Sequence, residues 1–103
     1  MPIHPKNSID REQVLTRLKA IKPELVKQYS ISKIGIFGSV ARNEAHDNSD
    51  IDVVVYMQPN LLKRARLKAE LEEIFGTEVD IIRYRESMNP FLKARIQQDV
   101  IYV

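Results

Sequence analysis

Two carboxylates, Asp50 and Asp52, open an otherwise apolar segment that runs to Tyr56. Alternate side chains of an extended strand share a face, so the two carboxylates project together while Ile51 and Val53 point the other way. Paired carboxylates on an apolar strand repel each other and resist desolvation unless a cation lies between them. The segment therefore predicts a central β-strand with a cation site on one face.

A third carboxylate, Asp80, lies in another apolar segment, Val79–Ile82. Carboxylate oxygens suit Mg²⁺ or Mn²⁺, which proteins normally hold with one or two carboxylates plus the phosphates of a substrate. Three aspartates on strands could hold two such ions in the arrangement used for displacement at phosphorus. We therefore predict that Asp50, Asp52 and Asp80 are metal ligands.

The Gly38-Ser39 pair directly follows an apolar segment, Ile34–Phe37. A glycine permits close approach of the backbone, and a small hydroxyl at a strand-to-helix turn presents N–H and O–H groups to phosphate oxygens. Ser39 could also cap the helical turn, which uses the same geometry. Arg42 is either a solvated helix residue or a phosphate clamp, and Glu44 is either a loop residue or its ion-pair partner. The candidate phosphate-binding residues are Gly38, Ser39 and Arg42.

The spacing of these residues resembles a known pattern. A Gly-Ser pair at 38–39 is followed after ten residues by Asp-Ile-Asp at 50–52, and Asp80 comes later. This pattern resembles the nucleotidyltransferase superfamily that includes DNA polymerase beta. The fuller string GSVARNEAHDNSDIDVVV is similar to its minimal nucleotidyltransferase branch, the MntA-type antitoxins that accompany HEPN-domain toxins. That branch has Gly where this chain has Asn43, a residue that also tolerates left-handed backbone. The resemblance covers most of the chain and implies the nucleotidyltransferase fold.

The resemblance also implies a function: transfer of AMP from ATP to a hydroxyl acceptor with two Mg²⁺ ions, Mn²⁺ being possible. Asp50 and Asp52 would bind both metals, Asp80 would complete the catalytic metal site and help to activate the acceptor, and Gly38 and Ser39 would hold the triphosphate. All three aspartates would thus be catalytic. The implied acceptor is a Tyr of a partner HEPN toxin, a helical chain, which makes this protein the antitoxin of a type VII-like toxin–antitoxin pair.

Other interpretations stay open. The chain could be a non-catalytic module that neutralises a toxin by covering it, or the catalytic subunit of a two-chain small-molecule nucleotidyltransferase. Asp50 could be a turn residue, and Asp80 a strand-end carboxylate paired with Arg83 or Arg85. His46, alone in a polar loop, is expected to be exposed and not a metal ligand.

Composition restricts the remaining possibilities. With 103 residues, 44% of them hydrophobic and 29% charged, we expect a single domain spanning 1–103 with a loose leader at 1–7. No apolar run approaches a membrane span and the start lacks the apolar core of a signal peptide, so a cytoplasmic protein without a membrane partner is expected. The net charge of +2 is not concentrated in an obvious basic stripe, so no direct nucleic-acid partner is expected.

Hydrophobic spacing and turn residues predict a small mixed β-sheet with helices packed against it, an α+β (α/β-like) fold. The first two strands should pair antiparallel, and the third should follow a parallel crossover. The predicted elements are a helix capped by Ser8 or Asp10, a second helical piece after Pro23, strand Lys33–Phe37, a turn at Ser39–Arg42, a polar loop at 43–49, strand Asp50–Met57, helix Leu61–Phe75, strand Thr77–Tyr84, a helix from Pro90 and a terminal strand Val100–Val103. The predicted helix Leu61–Phe75 carries four basic residues near its start, Lys63, Arg64, Arg66 and Lys68. These side chains either are solvated or bind an acidic partner or the triphosphate.

Overall fold

The computed structural model describes residues 10–45 and 50–103 of the chain. In chain order its elements are α1 (Arg11–Tyr29), β1 (Lys33–Phe37), α2 (Gly38–Ala41), β2 (Ile51–Tyr56), α3 (Leu61–Phe75), β3 (Val79–Arg83), α4 (Pro90–Asp99) and β4 (Ile101–Tyr102). The predicted leader, the Ser8 cap, His46 and most of the polar loop lie outside the described residues. Across 10–45 and 50–103, no helix has the length and apolar character needed to cross a membrane.

The four strands form one mixed sheet in the order β3-β2-β1-β4. β1 is antiparallel to both β2 and β4, whereas β2 and β3 run parallel and are joined by α3. The predicted antiparallel pair and parallel crossover are therefore confirmed, and β2 is central, as its apolar residues on both faces required. β3 forms one edge of the sheet, and the two-residue β4 forms the other.

The two faces of the sheet carry separate apolar clusters. Val53 and Val55 of β2 join the cluster made with α1 and α3, while Val54 joins the smaller cluster made with α4. This alternation follows from the two-residue period of a strand. Asp52 and Val54 therefore share a face, so the carboxylate lies on the side where the ten-residue α4 packs.

Helix α1 is continuous over 19 residues, so the predicted interruption at Pro23 is wrong. Leu18, Leu25 and Tyr29 are buried along one stripe that continues past the proline. Pro23 is exposed on the opposite side, where water can solvate the carbonyl left without its N–H partner. Each fully buried large apolar side chain stabilises the fold by about 1.5–3 kcal/mol, and this outweighs one lost hydrogen bond.

The helix ends follow from local sequence. Asp10 caps α1 by accepting a hydrogen bond from the N–H of Glu12, and Asn60 and Asn89 cap α3 and α4 in the same manner. Gly76, with a φ of 67°, ends α3 in the left-handed conformation that glycine adopts without strain. The predicted bounds of α3 are confirmed.

We predict that Pro23→Ala stabilises the protein. In a continuous helix alanine restores an intrahelical hydrogen bond, and after allowance for the greater entropy of the unfolded chain the free energy of unfolding should rise by about 1–2 kcal/mol. Urea denaturation measures this difference, and Glu24→Ala, at the next exposed position, serves as the control with little change. A destabilised Pro23→Ala variant would indicate instead that the proline begins a separate helix.

Candidate active site

Two of the three predicted site aspartates are neighbours in the sheet. Asp52 on β2 pairs in register with Asp80 on β3, and Asp50 directly precedes β2. Asp52 is half-buried, whereas Asp80 is exposed on the edge strand. The alternative pairing of Asp80 with Arg83 or Arg85 is not observed among the ion pairs of the described residues.

The environment of Asp52 disfavours its negative charge. Burial raises the pKa of this carboxyl from its ordinary 3.8 to about 6, and the charges of Asp80 and Asp50 act in the same direction. The guanidinium groups of Arg95 and Arg42 oppose the increase in pKa only in part. A cation bound beside Asp52 would favour the ionised carboxylate and so lower this pKa.

Gly38 keeps the backbone close to Asp52. β1 ends at Phe37, opposite Asp52 in the register, and Gly38 follows with a φ of 76°. A Cβ at this position would collide with the Oδ2 atom of Asp52. Any other residue would therefore displace the carboxylate and also strain the backbone. The absence of a side chain at Gly38 thus makes room for the Asp52 carboxylate. The predicted contact of this glycine with phosphate stays a prediction.

The short helix α2 carries Ser39 beside the carboxylates. Val40 and Ala41 are buried and anchor this single turn, while Ser39 is half-buried and its hydroxyl makes no hydrogen bond to another described residue. The turn begins at Gly38, one residue earlier than predicted. Asn43 has a φ of 60°, so asparagine does adopt the left-handed backbone expected there.

Arg42 connects the end of α2 to the end of α4. Its Nε donates to Glu44 at 2.8 Å and its Nη1 to Asp99 at 2.6 Å. The Asp99 side chain is only 7% exposed, so this ion pair is partly shielded from water. Of the alternatives for Glu44, the ion pair with Arg42 is the one observed. The nucleotide-binding role of Arg42 stays a prediction.

A cavity of about 370 Å³ opens at the carboxylates. Its lining is Phe37, Asp52, Lys68, Asp80, Ile81, Ile82, Leu92 and Arg95. Lys68 of α3 donates to the carbonyl of Val79 at 2.6 Å and to Glu72 at 2.8 Å, which holds its ammonium group beside β3. Arg95 of α4 is exposed and makes no hydrogen bond or ion pair within the part of the chain that the structure describes.

Sequence reasoning noted Lys68 only as one of several basic residues and missed Arg95. The available signal was the spacing on the last helix, where Arg95 adjoins the buried Ile96 and lies three residues after Leu92. That spacing places an arginine at the border of the face that packs on the sheet.

The donor set fits a divalent ion whose coordination a substrate completes. Within 10–45 and 50–103, no three carboxylate, imidazole or thiolate side chains are gathered closely enough to hold a metal alone. Mg²⁺ usually takes only one or two carboxylates and adds phosphate oxygens and water. Burial and the charges of Asp80 and Asp50 raise the pKa of Asp52, and such an ion would offset both effects.

Comparison with known proteins gives consistent results. The family model for polymerase beta nucleotidyltransferases matches residues 19–103. The protein adenylyltransferase MntA of Thermococcus cleftensis is 34% identical over 94 residues, which cover 89% of this chain and 94% of that protein. A Methanocaldococcus jannaschii protein, provisionally named a protein adenylyltransferase, is 40% identical over 88 residues, covering 84% of this chain and 90% of that protein.

Solved structures agree with the fold. A protein described provisionally as a minimal nucleotidyltransferase superposes with a TM-score of 0.73 at 34% identity, covering 89% of this chain and 94% of that one. A toxin–antitoxin complex crystallised with AMP-PNP gives a TM-score of 0.68 at 23% identity, with coverage of 82% and 70%. The MntA–HepT toxin–antitoxin complex gives 0.60 at 24%, with coverage of 86% and 69%. At these lower identities the two complexes support the fold alone, and the predicted nucleotidyltransferase fold is confirmed.

We predict that Asp52→Asn stabilises the metal-free protein at neutral pH. Because the folded-state pKa is raised, the cost of ionising Asp52 is absent below about pH 3.8 and grows as the pH rises towards about 6. With solvent screening of a half-buried group taken into account, the variant should gain about 1–2 kcal/mol in free energy of unfolding at pH 7.5 and almost nothing at pH 3.5.

Urea denaturation in EDTA across this pH range measures the effect. Glu73→Gln removes an exposed carboxylate from α3 and should track the wild type at every pH. If the difference in free energy of unfolding between Asp52→Asn and the wild type is the same from pH 3.5 to 7.5, ionisation of Asp52 does not destabilise the folded protein.

Proposed function

The chain belongs to the polymerase beta nucleotidyltransferase family, and from this membership we propose that it transfers AMP from ATP to a hydroxyl group of a partner toxin. The observation that carries the proposal is the in-register pair of Asp52 and Asp80 beside Gly38 and Ser39. In the reaction the acceptor oxygen bonds to the α-phosphorus, the bond to pyrophosphate breaks, and the hydroxyl proton is released.

Asp50, Asp52 and Asp80 are the proposed metal ligands and catalytic residues. Two divalent cations, Mg²⁺ or alternatively Mn²⁺, would supply positive charge to the α-phosphate and the departing pyrophosphate. Asp52 binds a proton in competition with the cation, since its pKa is raised to about 6. Gly38 leaves room beside that carboxylate, and the hydroxyl of Ser39 is available to a phosphate oxygen.

Three basic residues surround the proposed metal site. Arg95, without a partner among the described residues, lies where its charge favours the ionised form of Asp52. Lys68 is fixed beside β3 by its contacts with Val79 and Glu72. Arg42 remains a proposed nucleotide-binding residue, oriented by its two carboxylate partners.

The order of strands separates donor from acceptor. Gly38 and Ser39 follow β1, Asp52 lies on the central β2, and Asp80 lies on the edge strand β3. In-line displacement requires the entering and leaving oxygens to lie on opposite sides of phosphorus. With the triphosphate at Gly38 and Ser39, the acceptor hydroxyl approaches from the side of β3, where Asp80 is exposed.

A protein acceptor is the proposal that the relatives support best. The Thermococcus relative bears the name of a protein adenylyltransferase, and structural neighbours are toxin–antitoxin complexes. The match covers about nine-tenths of the length of these relatives, so a role proposed from them applies to nearly the whole of each relative and not to one part of it. The proposed acceptor is a Tyr hydroxyl on a helical HEPN toxin, which the added AMP would inactivate.

The test uses ATP labelled at the α-phosphate, Mg²⁺ and the partner toxin encoded in the host of this chain. Asp50→Asn/Asp52→Asn should lower labelling of the toxin at least about a hundredfold, since the charges that hold the cations are lost. Glu24→Gln/Glu73→Gln removes two exposed carboxylates elsewhere and should label like the wild type.

The outcomes separate the alternatives. Labelling of a Tyr only with intact aspartates supports the proposal. Protection of cells by Asp50→Asn/Asp52→Asn without any labelling would identify a non-catalytic binding module. A labelled small molecule in place of the toxin would identify the two-chain small-molecule enzyme.

A further inference from the structure

A second cavity, of about 660 Å³, lies along the edge strand next to the aspartate pocket. We call it the edge groove, and its lining is Met57, Pro59, Asn60, Leu61, Arg64, Ile81, Ile82, Arg83, Arg85, Met88, Asn89 and Leu92. Ile81, Ile82 and Leu92 line both cavities. The edge groove therefore adjoins the pocket that contains Asp52 and Asp80.

Two helix faces form its walls and extend to the site. On α3, Leu61 and Arg64 line the groove, and Lys68, on the same side of the helix, lines the aspartate pocket. On α4, Leu92 lines both cavities and Arg95 follows in the aspartate pocket. A segment lying along β3 between these faces would reach Asp80.

The charge of the edge groove is entirely positive. Arg64, Arg83 and Arg85 line it, and no aspartate or glutamate does. None of the three forms a salt bridge with another described residue, and Arg83 makes only a 3.4 Å hydrogen bond to the carbonyl of Met57. The whole chain has 16 basic and 14 acidic residues, so three unneutralised arginines in one groove are a local concentration.

The groove is also apolar. Ile81, Ile82, Met88 and Leu92 form its floor and walls. Leu61, which is 74% exposed, extends this apolar lining to the protein surface. Arginine and methionine are both enriched at protein interfaces, whereas a phosphate backbone needs only the positive charges and no apolar surface. The composition therefore favours a peptide segment over a nucleic acid.

We propose that the edge groove binds an acidic segment of the protein acceptor, next to the hydroxyl that receives AMP. The inference rests on the proposed function and adds to it a surface that selects the acceptor by charge. Carboxylates of the segment pair with Arg64, Arg83 and Arg85, its apolar side chains pack on the groove, and its hydroxyl lies at Asp80. The donor side at Gly38 and Ser39 takes no part in this selection.

Binding is tested first, because it does not require catalysis. The probes are two fluorescent twelve-residue peptides with one central Tyr and apolar neighbours, flanked by glutamates in one and by lysines in the other, and a twelve-nucleotide RNA. The wild type should bind the glutamate peptide at least about tenfold more tightly than either other probe, and added salt should weaken that binding.

The decisive variant is Arg64→Glu/Arg85→Glu, which should lose the preference for the glutamate peptide. Lys27→Glu/Arg66→Glu is the matched control, since it makes the same change of charge at exposed positions outside the groove and should keep the preference. Arg64→Gln/Arg85→Gln should give an intermediate loss, and thermal unfolding establishes that all variants fold. Equal binding of both peptides, tighter binding of the RNA, or a preference that survives Arg64→Glu/Arg85→Glu would overturn the inference.

AMP transfer to the same peptides separates this inference from the proposed function. If the wild type binds the glutamate peptide selectively but transfers AMP to neither the peptides nor the toxin, the edge groove is supported as a binding surface and the proposed AMP transfer is rejected. Transfer that ignores peptide charge in the wild type would support the proposed function and reject the groove as the acceptor surface.

Discussion

The half-buried carboxylate of Asp52 is the constraint on which the rest of the site depends. It lies on the central strand, against the backbone of Gly38 and opposite Asp80, in a position where burial and neighbouring charge raise its pKa to about 6. A fold selected for stability alone would place an apolar residue there, as it does at Val54 two residues later. The retained charge is best explained by a ligand that brings positive charge to it.

The asymmetry of the sheet makes room for that ligand. One face is covered by α1 and α3 and contains most of the core, whereas among the described residues the short α4 packs on the face of Asp52. Arg42 ties α4 to α2 through Asp99, so α4 is fixed at the end near Gly38. At the other side the exposed edge of β3 leaves an approach to Asp80, which is the side proposed for the acceptor.

Much of this architecture could be predicted because it depends on local rules. The alternation of side chains along β2 predicted which face of the sheet carries Asp52, and the capping residues Asn60 and Gly76 predicted where α3 begins and ends. Pro23 misled the prediction, because tertiary burial of the α1 stripe outweighed a local preference. The two ion pairs of Arg42, the position of Arg95, and the placement of Arg64 but not Arg66 in the edge groove depend on how helices face the sheet, which residue spacing alone does not specify.

The most direct test of the central claim is calorimetric titration with a non-hydrolysable ATP analogue, with and without Mg²⁺, on the wild type and on Asp52→Asn. If Asp52 is the carboxylate that needs a cation, Mg²⁺ should tighten binding of the analogue to the wild type at least about tenfold and should give the variant little or no gain. An equal gain from Mg²⁺ in both proteins would contradict the account, because the ion would then bind the nucleotide without help from Asp52.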